Sequence, residues 1–268
     1  MRSDFLKLYI KKKLFIWWDF YNSCFNKIVR EQNKDYKKIP IVIINFNQLE
    51  NLKKLVSFLI KLEYNNIVII DNLSTYPPLL EYYSEIENTV SVLKNKTNQG
   101  HRVFWNNKKY FNFYGKGYYV VTDPDVIPIE NCPQDFLSYF KKKLDSNKDI
   151  TKVGFSLKID DLPNHNSNKE KVINWEEKFW VDKDLEEDYI ADIDTTFALY
   201  RPKQTFKFNN FYSAIRTKTP FLARHMGWYL NNKNLTNEEI YYMKTASKSG
   251  SWRVDENGVL IEKHYDEK

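Results

Sequence analysis

Two carboxylates separated by a single proline, Asp123-Pro124-Asp125, follow the apolar run Tyr118-Tyr119-Val120-Val121-Thr122. The proline restricts the turn, so one or both acids can direct oxygens at a single divalent cation. Mg²⁺ and Mn²⁺ prefer such hard ligands and usually share their site with substrate phosphates. A cation there would neutralise a departing diphosphate. A pair of acids in a turn is common at strand ends, so the position of the pair carries more weight than its pattern.

That position follows from the elements before it. Ile39-Pro40-Ile41-Val42-Ile43-Ile44 is a continuous apolar run, as expected of a strand covered on both faces. Leu52, Leu55, Val56, Leu59 and Ile60 keep helical spacing within residues 49–62. A second strand spans 66–71, a turn 74–78, a helix 79–87 and a third strand 90–93. Asn98-Gln99-Gly100 is a loop signal, a helix is expected over 103–113, and 118–122 is the fourth strand. This alternation predicts an α/β fold with a doubly wound, mostly parallel central sheet and flanking helices. Ligands of such sheets bind at the carboxyl ends of the strands. Here those ends carry Asn45, Asp71, Gly100 and the Asp123/Asp125 pair.

The remainder is less regular. Residues 31–38 read as a polar linker and 164–171 as a polar loop. Helices are expected over 136–144 and 238–248, and strands over 153–159 and 195–200. The chain has 268 residues, enough for one large domain. The expected divisions are a basic, aromatic N-terminal helical segment (1–38) and two halves of one domain, 39–130 and 131–268. Aromatic residues make up 16% and the formal charge is +6, which permits phosphate or anionic-surface binding without selecting either. Two cysteines, Cys24 and Cys132, form no metal-ligand spacing or disulfide framework, so a cytoplasmic setting is expected. No apolar stretch is long enough to span a bilayer. The Lys-rich aromatic face of residues 1–30 suits either packing on the domain or peripheral contact with the inner face of the cytoplasmic membrane.

Residues 39–128 resemble a glycosyltransferase of the GT-A fold, most like the family 2 group. The matching pieces are IPIVIINFNQLENLKKLVSFL, IVIIDNLST, NQGHRVFW and YYVVTDPDVIP. The second half is similar to bacterial capsule or surface-polysaccharide transferases, through VGFSLKIDDLP, INWEEKFW, DIDTTFALYRP and ARHMGWY. The resemblance implies transfer of a sugar from a nucleotide-sugar donor, UDP-linked as a rule, to a saccharide or lipid-linked acceptor, with inversion. It implies Mn²⁺ or Mg²⁺ as cofactor. Asn45, Asp71, Asn72 and Gly100 would line the nucleotide pocket, and His101, Arg102 or Arg224 would reach the diphosphate. Asp125 would bind the metal, Asp123 the metal or the ribose, and His225 would be a further metal ligand or diphosphate contact. An inverting transferase needs a carboxylate base for the acceptor hydroxyl. The family often places an adjacent acidic pair there. This chain has Asp192-Ile193-Asp194, which makes Asp194 the first candidate and Asp192 the second, with Asp160, Asp161 and Glu176 beyond them.

Two other classes fit less well. A nucleotidyltransferase would place a glycine-rich basic loop after the first strand, where Asn45-Phe46-Asn47-Gln48 stands. A non-catalytic basic protein binding membrane or nucleic acid is the other. Nucleic acid is disfavoured, because no phosphate-cradling loop, zinc spacing or RNA-binding aromatic signature occurs.

Overall fold

The computed structural model describes residues 24–207, 211–246, 250, 252–255 and 257–261, together with positions 13, 17 and 20–22. Most of residues 1–30, read from sequence as packing on the domain or lying on a membrane surface, falls outside the described residues. Among the described residues no helix is long and apolar enough to cross a membrane. Cys24 and Cys132 are free thiols.

A single mixed sheet organises the chain. Its strands are β1 (Ile41–Asn45), β2 (Ile67–Asp71), β3 (Ser91–Lys94), β4 (Tyr119–Thr122), β5 (Val126–Pro128), β6 (Lys152–Leu157), β7 (Tyr189–Ile190), β8 (Ala198–Tyr200) and β9 (Ala214–His225). The order is β3-β2-β1-β4-β8-β6-β9-β5, with β7 against β9. The first four strands are mutually parallel. β8 runs antiparallel between β4 and β6, and β6 and β9 are parallel. β5 and β7 oppose β9. Most strands therefore share one direction, as expected, and only β5, β7 and β8 run against it.

The continuous apolar runs are explained by helices on both faces. Alternate residues of a strand point to opposite sides. Ile41, Ile43, Ile67, Ile69 and Val120 meet Leu52, Leu55 and Leu59 of helix Glu50–Lys61 and Phe136 and Phe140 of helix Phe136–Ser146. Val42, Ile44, Val68, Ile70 and Val121 meet Val103, Phe104 and Trp105 on the other side. Each such fully buried side chain contributes about 1.5–3 kcal/mol.

Several expectations are corrected. Residues 31–38 are not a linker: helix Lys27–Lys34 and a 3₁₀ turn at Tyr36–Lys38 occupy them. Gln32 ends buried, donating to the Tyr118 carbonyl and accepting from the Tyr118 amide, each at 2.8 Å. That pair pins the segment to the entry of β4. The helix expected over 103–113 is broken at Asn107, whose side chain caps a new helix, Lys108–Tyr114, by accepting from the Lys109 amide. Helix Lys169–Glu176 begins inside the stretch read as loop. The twelve-residue β9 was not anticipated at all, nor was β5.

Candidate active site

Because β1, β4, β6 and β9 share one direction, their carboxyl ends meet along one edge of the sheet, where the antiparallel β8 begins. A cleft of about 420 Å³ opens there. It is lined from residues 39–130 by Asn45, Asn72, Gly100, His101, Asp123 and Asp125, and from the rest of the chain by Asp192, Asp194 and His225. Of the fifteen residues named from sequence, these nine and Glu176 line it, and Asp71, Arg102, Asp160, Asp161 and Arg224 do not.

The loops after β1, β2 and β3 lock one another. Asn47 sits at φ 51°, a left-handed conformation that Asn tolerates. Its carboxamide oxygen accepts from the Thr75 and Tyr76 amides at 2.7 and 3.0 Å, which ties the loop after β1 to the loop after β2. Asn72 donates to the Gly100 carbonyl at 3.1 Å and accepts from the Gln99 amide at 2.9 Å, which ties the loops after β2 and β3. Gly100 lies at φ 73°, with open space where a Cβ would stand. The backbone there is accessible to a ligand in a conformation that other residues rarely adopt.

Three expected donor contacts do not face the cleft. The Asp71 carboxylate is buried behind it, accepting from the Ser74 amide and the Tyr83 hydroxyl. It holds the loop after β2 in place. Arg102 is exposed and stacks on the Phe206 ring at 4.2 Å. Arg224 pairs with Glu130 and Asp161, both at 2.8 Å, on the side opposite His225. Strand alternation sends these two neighbours of β9 in opposite directions. Asp161 is engaged by that pair and by the Tyr229 hydroxyl, so it is no base for the cleft.

The acidic turn is set between two strands. Val126 pairs with His225 in the β5–β9 ladder, and the Met226 amide donates to the Asp125 carbonyl at 2.7 Å. Asp125 is buried, and its Oδ2 accepts from the Trp252 indole at 2.7 Å. Its Oδ1 and the Nδ1 of His225 are buried without hydrogen-bond partners. The Asp123 carboxylate accepts from the Thr195 hydroxyl at 3.3 Å. Burial, then the charges of Asp125 and Asp194, hold Asp123 well above the usual carboxylate range. Desolvation is the larger cause, and the two neighbouring carboxylates add to it. Among the described residues that line the cleft, Arg216 is the only lysine or arginine, and its guanidinium is bonded to Glu176.

The loop carrying Asp192 and Asp194 is fixed from beneath by groups that sequence reasoning missed. The Asp194 carbonyl accepts from Lys152 Nζ at 3.0 Å and from the Tyr200 hydroxyl at 3.1 Å. The Asp192 carbonyl accepts from Arg216 Nε at 2.9 Å. Both carboxylates remain exposed to the cleft. Glu176 is buried, and desolvation pushes it up to about 7 against the pull of Arg216. Trp175, Phe179 and Trp228 complete this wall. INWEEKFW had been noted as a motif, but nothing local announced that Glu176 would face a guanidinium 40 residues away.

Lys152 is wholly buried, its Nζ 4.1 Å from the Phe211 ring centroid and 5.0 Å from that of Tyr200. Burial lowers it to about 7, with Asp194 and Asp192 opposing. Its folded value lies below the unfolded one, so between about pH 7 and pH 10 the unfolded chain holds the extra proton. Stability should therefore rise with pH across that window, by up to about 1.4 kcal/mol per unit. Denaturant melts at pH 7.5 and 9.0 should show this rise in the wild type and lose it in Lys152→Met. An equal slope in both would show that Lys152 is charged in the folded state throughout.

No protein-family model matches the chain, and no curated protein does. Solved structures similar to it include a mannosyltransferase from Pyrobaculum calidifontis in complex with GDP-Man and Mn²⁺ (11% identity, TM-score 0.44, covering 77% of this chain and 60% of that one). A second is residues 1–349 of TarS from S. aureus (14% identity, TM-score 0.39, 65% of this chain and 49% of that one). A third is a cytidylyltransferase from Leptospira borgpetersenii (14% identity, TM-score 0.32, 44% of this chain and 53% of that one). The chain spans less than two thirds of the length of each. At these TM-scores the likeness fixes neither substrate nor chemistry, and the functional reading rests on the cleft of this chain.

Proposed function

We propose that the chain is a glycosyltransferase that moves a sugar from a nucleotide-diphosphate donor, UDP-linked first of all, to a saccharide or lipid-linked acceptor hydroxyl. The reading extends to inversion at the sugar and to bacterial surface-polysaccharide synthesis. The observation that carries it is the charge of the cleft. Asp123, Asp125, Asp192 and Asp194 face it, and among the described lining residues the one guanidinium, that of Arg216, is already paired with Glu176. A bare diphosphate would be repelled there, so a donor of that kind needs a divalent cation to enter.

The residues fit such a cation. Asp125 Oδ1 and His225 Nδ1 are buried polar atoms without partners, next to a second carboxylate at Asp123. Among the described residues no group of three or more acid, His or Cys side chains is gathered closely enough to hold a metal ion, so a cation here would rest on fewer protein ligands and on donor phosphate oxygens and water. When bound, the ion would offset the charge that develops on the leaving diphosphate.

The protein groups divide the remaining work. The loops bearing Asn45, Asn72 and Gly100 would hold the nucleoside, with the Gly100 backbone open to close approach. Asp194 would take the proton of the acceptor hydroxyl, its loop braced by Lys152 and Tyr200. Trp228, stacked on His225 at 4.8 Å, and Trp175 offer aromatic surface on the acceptor side.

The test is a screen of UDP-, GDP- and dTDP-sugars for nucleotide release with Mn²⁺, Mg²⁺ or chelator. Release of a nucleoside diphosphate that stops in chelator supports the proposal. Turnover unchanged in excess chelator would remove the metal, and pyrophosphate release from nucleoside triphosphates would favour nucleotidyl transfer instead.

A further inference from the structure

The C-terminal part of the chain reaches back over the cleft at several points. Helix Asn237–Thr245 places the Glu238 carboxylate on the Leu49 and Glu50 amides, at 2.8 and 3.2 Å. This supplies the N-terminal cap that Leu49 itself cannot give to helix Glu50–Lys61. Thr245 accepts from the Asn47 carboxamide at 3.0 Å, and the Tyr241 hydroxyl donates to the Thr75 carbonyl at 3.1 Å. These contacts fasten the segment to the two loops that begin the nucleotide side. Its most consequential contact is further on, where the Trp252 indole donates to Asp125.

Trp252 is itself held tightly. Its ring stacks on Tyr242 with centroids 4.5 Å apart and planes at 15°. On another side it lies against Gly227, where a Cβ would stand 2.3 Å from indole carbons. Gly227 belongs to the turn that follows His225, so the indole is wedged between the C-terminal helix and the end of β9. Only its N–H is directed at a polar partner, Oδ2 of the buried Asp125. The other oxygen, Oδ1, is left without one. A buried carboxylate with one oxygen fixed and the other unsatisfied is held in a single orientation for a ligand that the protein does not supply.

We propose that Trp252 is the positioning residue of the metal site, fixing Asp125 through Oδ2 so that Oδ1 remains available to a divalent cation. The inference rests on the metal reading above, and it makes docking of the C-terminal segment a condition of tight cation binding. Outer-sphere partners of this kind are worth about 10–100-fold in metal affinity.

Trp252→Phe removes the N–H and keeps an aromatic ring against Tyr242. Gly227→Ala keeps the indole and displaces it from Asp125, and serves should the first variant misfold. Full-length protein is titrated with Mn²⁺, alone and with UDP, and free Mn²⁺ is read by electron paramagnetic resonance beside a thermal melt. Each folded variant is expected to bind Mn²⁺ at least about 10-fold more weakly than the wild type. Wild-type binding with a folded Trp252→Phe variant within twofold of it overturns this inference and leaves the metal reading standing. No Mn²⁺ binding by the wild type, with or without UDP, overturns both.

Discussion

Asp125→Asn should lower metal-dependent nucleotide release by about 10²–10³-fold while leaving the fold intact, because it removes charge where the leaving diphosphate must be stabilised. The amide retains a carbonyl oxygen that can still accept from Trp252, so the buried indole keeps its partner. Asp125→Ala removes that acceptor as well. It should lose the same activity and a further 1–3 kcal/mol or so of stability from the unsatisfied N–H. Comparing the two in thermal melts separates the catalytic loss from the structural one. Near-normal release from a folded Asp125→Asn protein, with Mn²⁺ still required, would place the cation elsewhere. Asp123→Asn is the companion variant. Asp123 is destabilised as an anion by burial and by Asp125 and Asp194, so its neutralisation should be better tolerated by the fold.

The second large effect is expected at Asp194. Replacement by Asn preserves the shape of the loop and the two hydrogen bonds to its backbone carbonyl, but deletes the proton acceptor. General-base catalysis is typically worth about 10²–10⁴-fold, and the loss should fall on kcat for transfer with donor KM little changed. Asp192→Asn should cost much less if Asp194 is the base. The reverse ranking, measured on folded proteins with saturating donor, would assign the base to Asp192. Equal full activity of both variants would move attention to Glu176, whose carboxyl burial raises to about 7 on the same wall.

The parts of this architecture that could be read directly were those whose signal is local. The run Ile41–Ile44 declares a strand covered on both faces, because four successive buried side chains need apolar residues at odd and even positions alike. The loops after β1, β2 and β3 and the Asp123-Pro124-Asp125 turn could be placed at one edge once the βα alternation was recognised. The direction of individual side chains was less accessible. Asp71 ends a strand in the expected place, yet Tyr83, twelve residues on, turns its carboxylate into a support. Arg224 and His225 are neighbours on β9, and only knowledge of that strand says which one faces the cleft. β9 itself hides because Thr217, Lys218, Thr219 and Pro220 interrupt its apolar pattern, and because Arg216 is buried through pairing with Glu176 rather than through hydrophobicity. Lys152 and Trp252 act across 42 and 127 residues of sequence, and no local spacing encodes such pairs.

The same long separations have a consequence for synthesis. β5 belongs to the sheet only through β9, and Asp125 is anchored by Met226 and Trp252. A nascent chain emerging from the ribosome exposes β1 to β4 and their loops well before these anchors exist. Such non-local pairings form late, since the intervening chain must be closed first. The acidic turn is therefore made early but acquires its working geometry only once the segment from Met226 to Trp252 has emerged. The strands β1 to β4 can be largely folded while the site stays incomplete until the segment around Trp252 is free to dock.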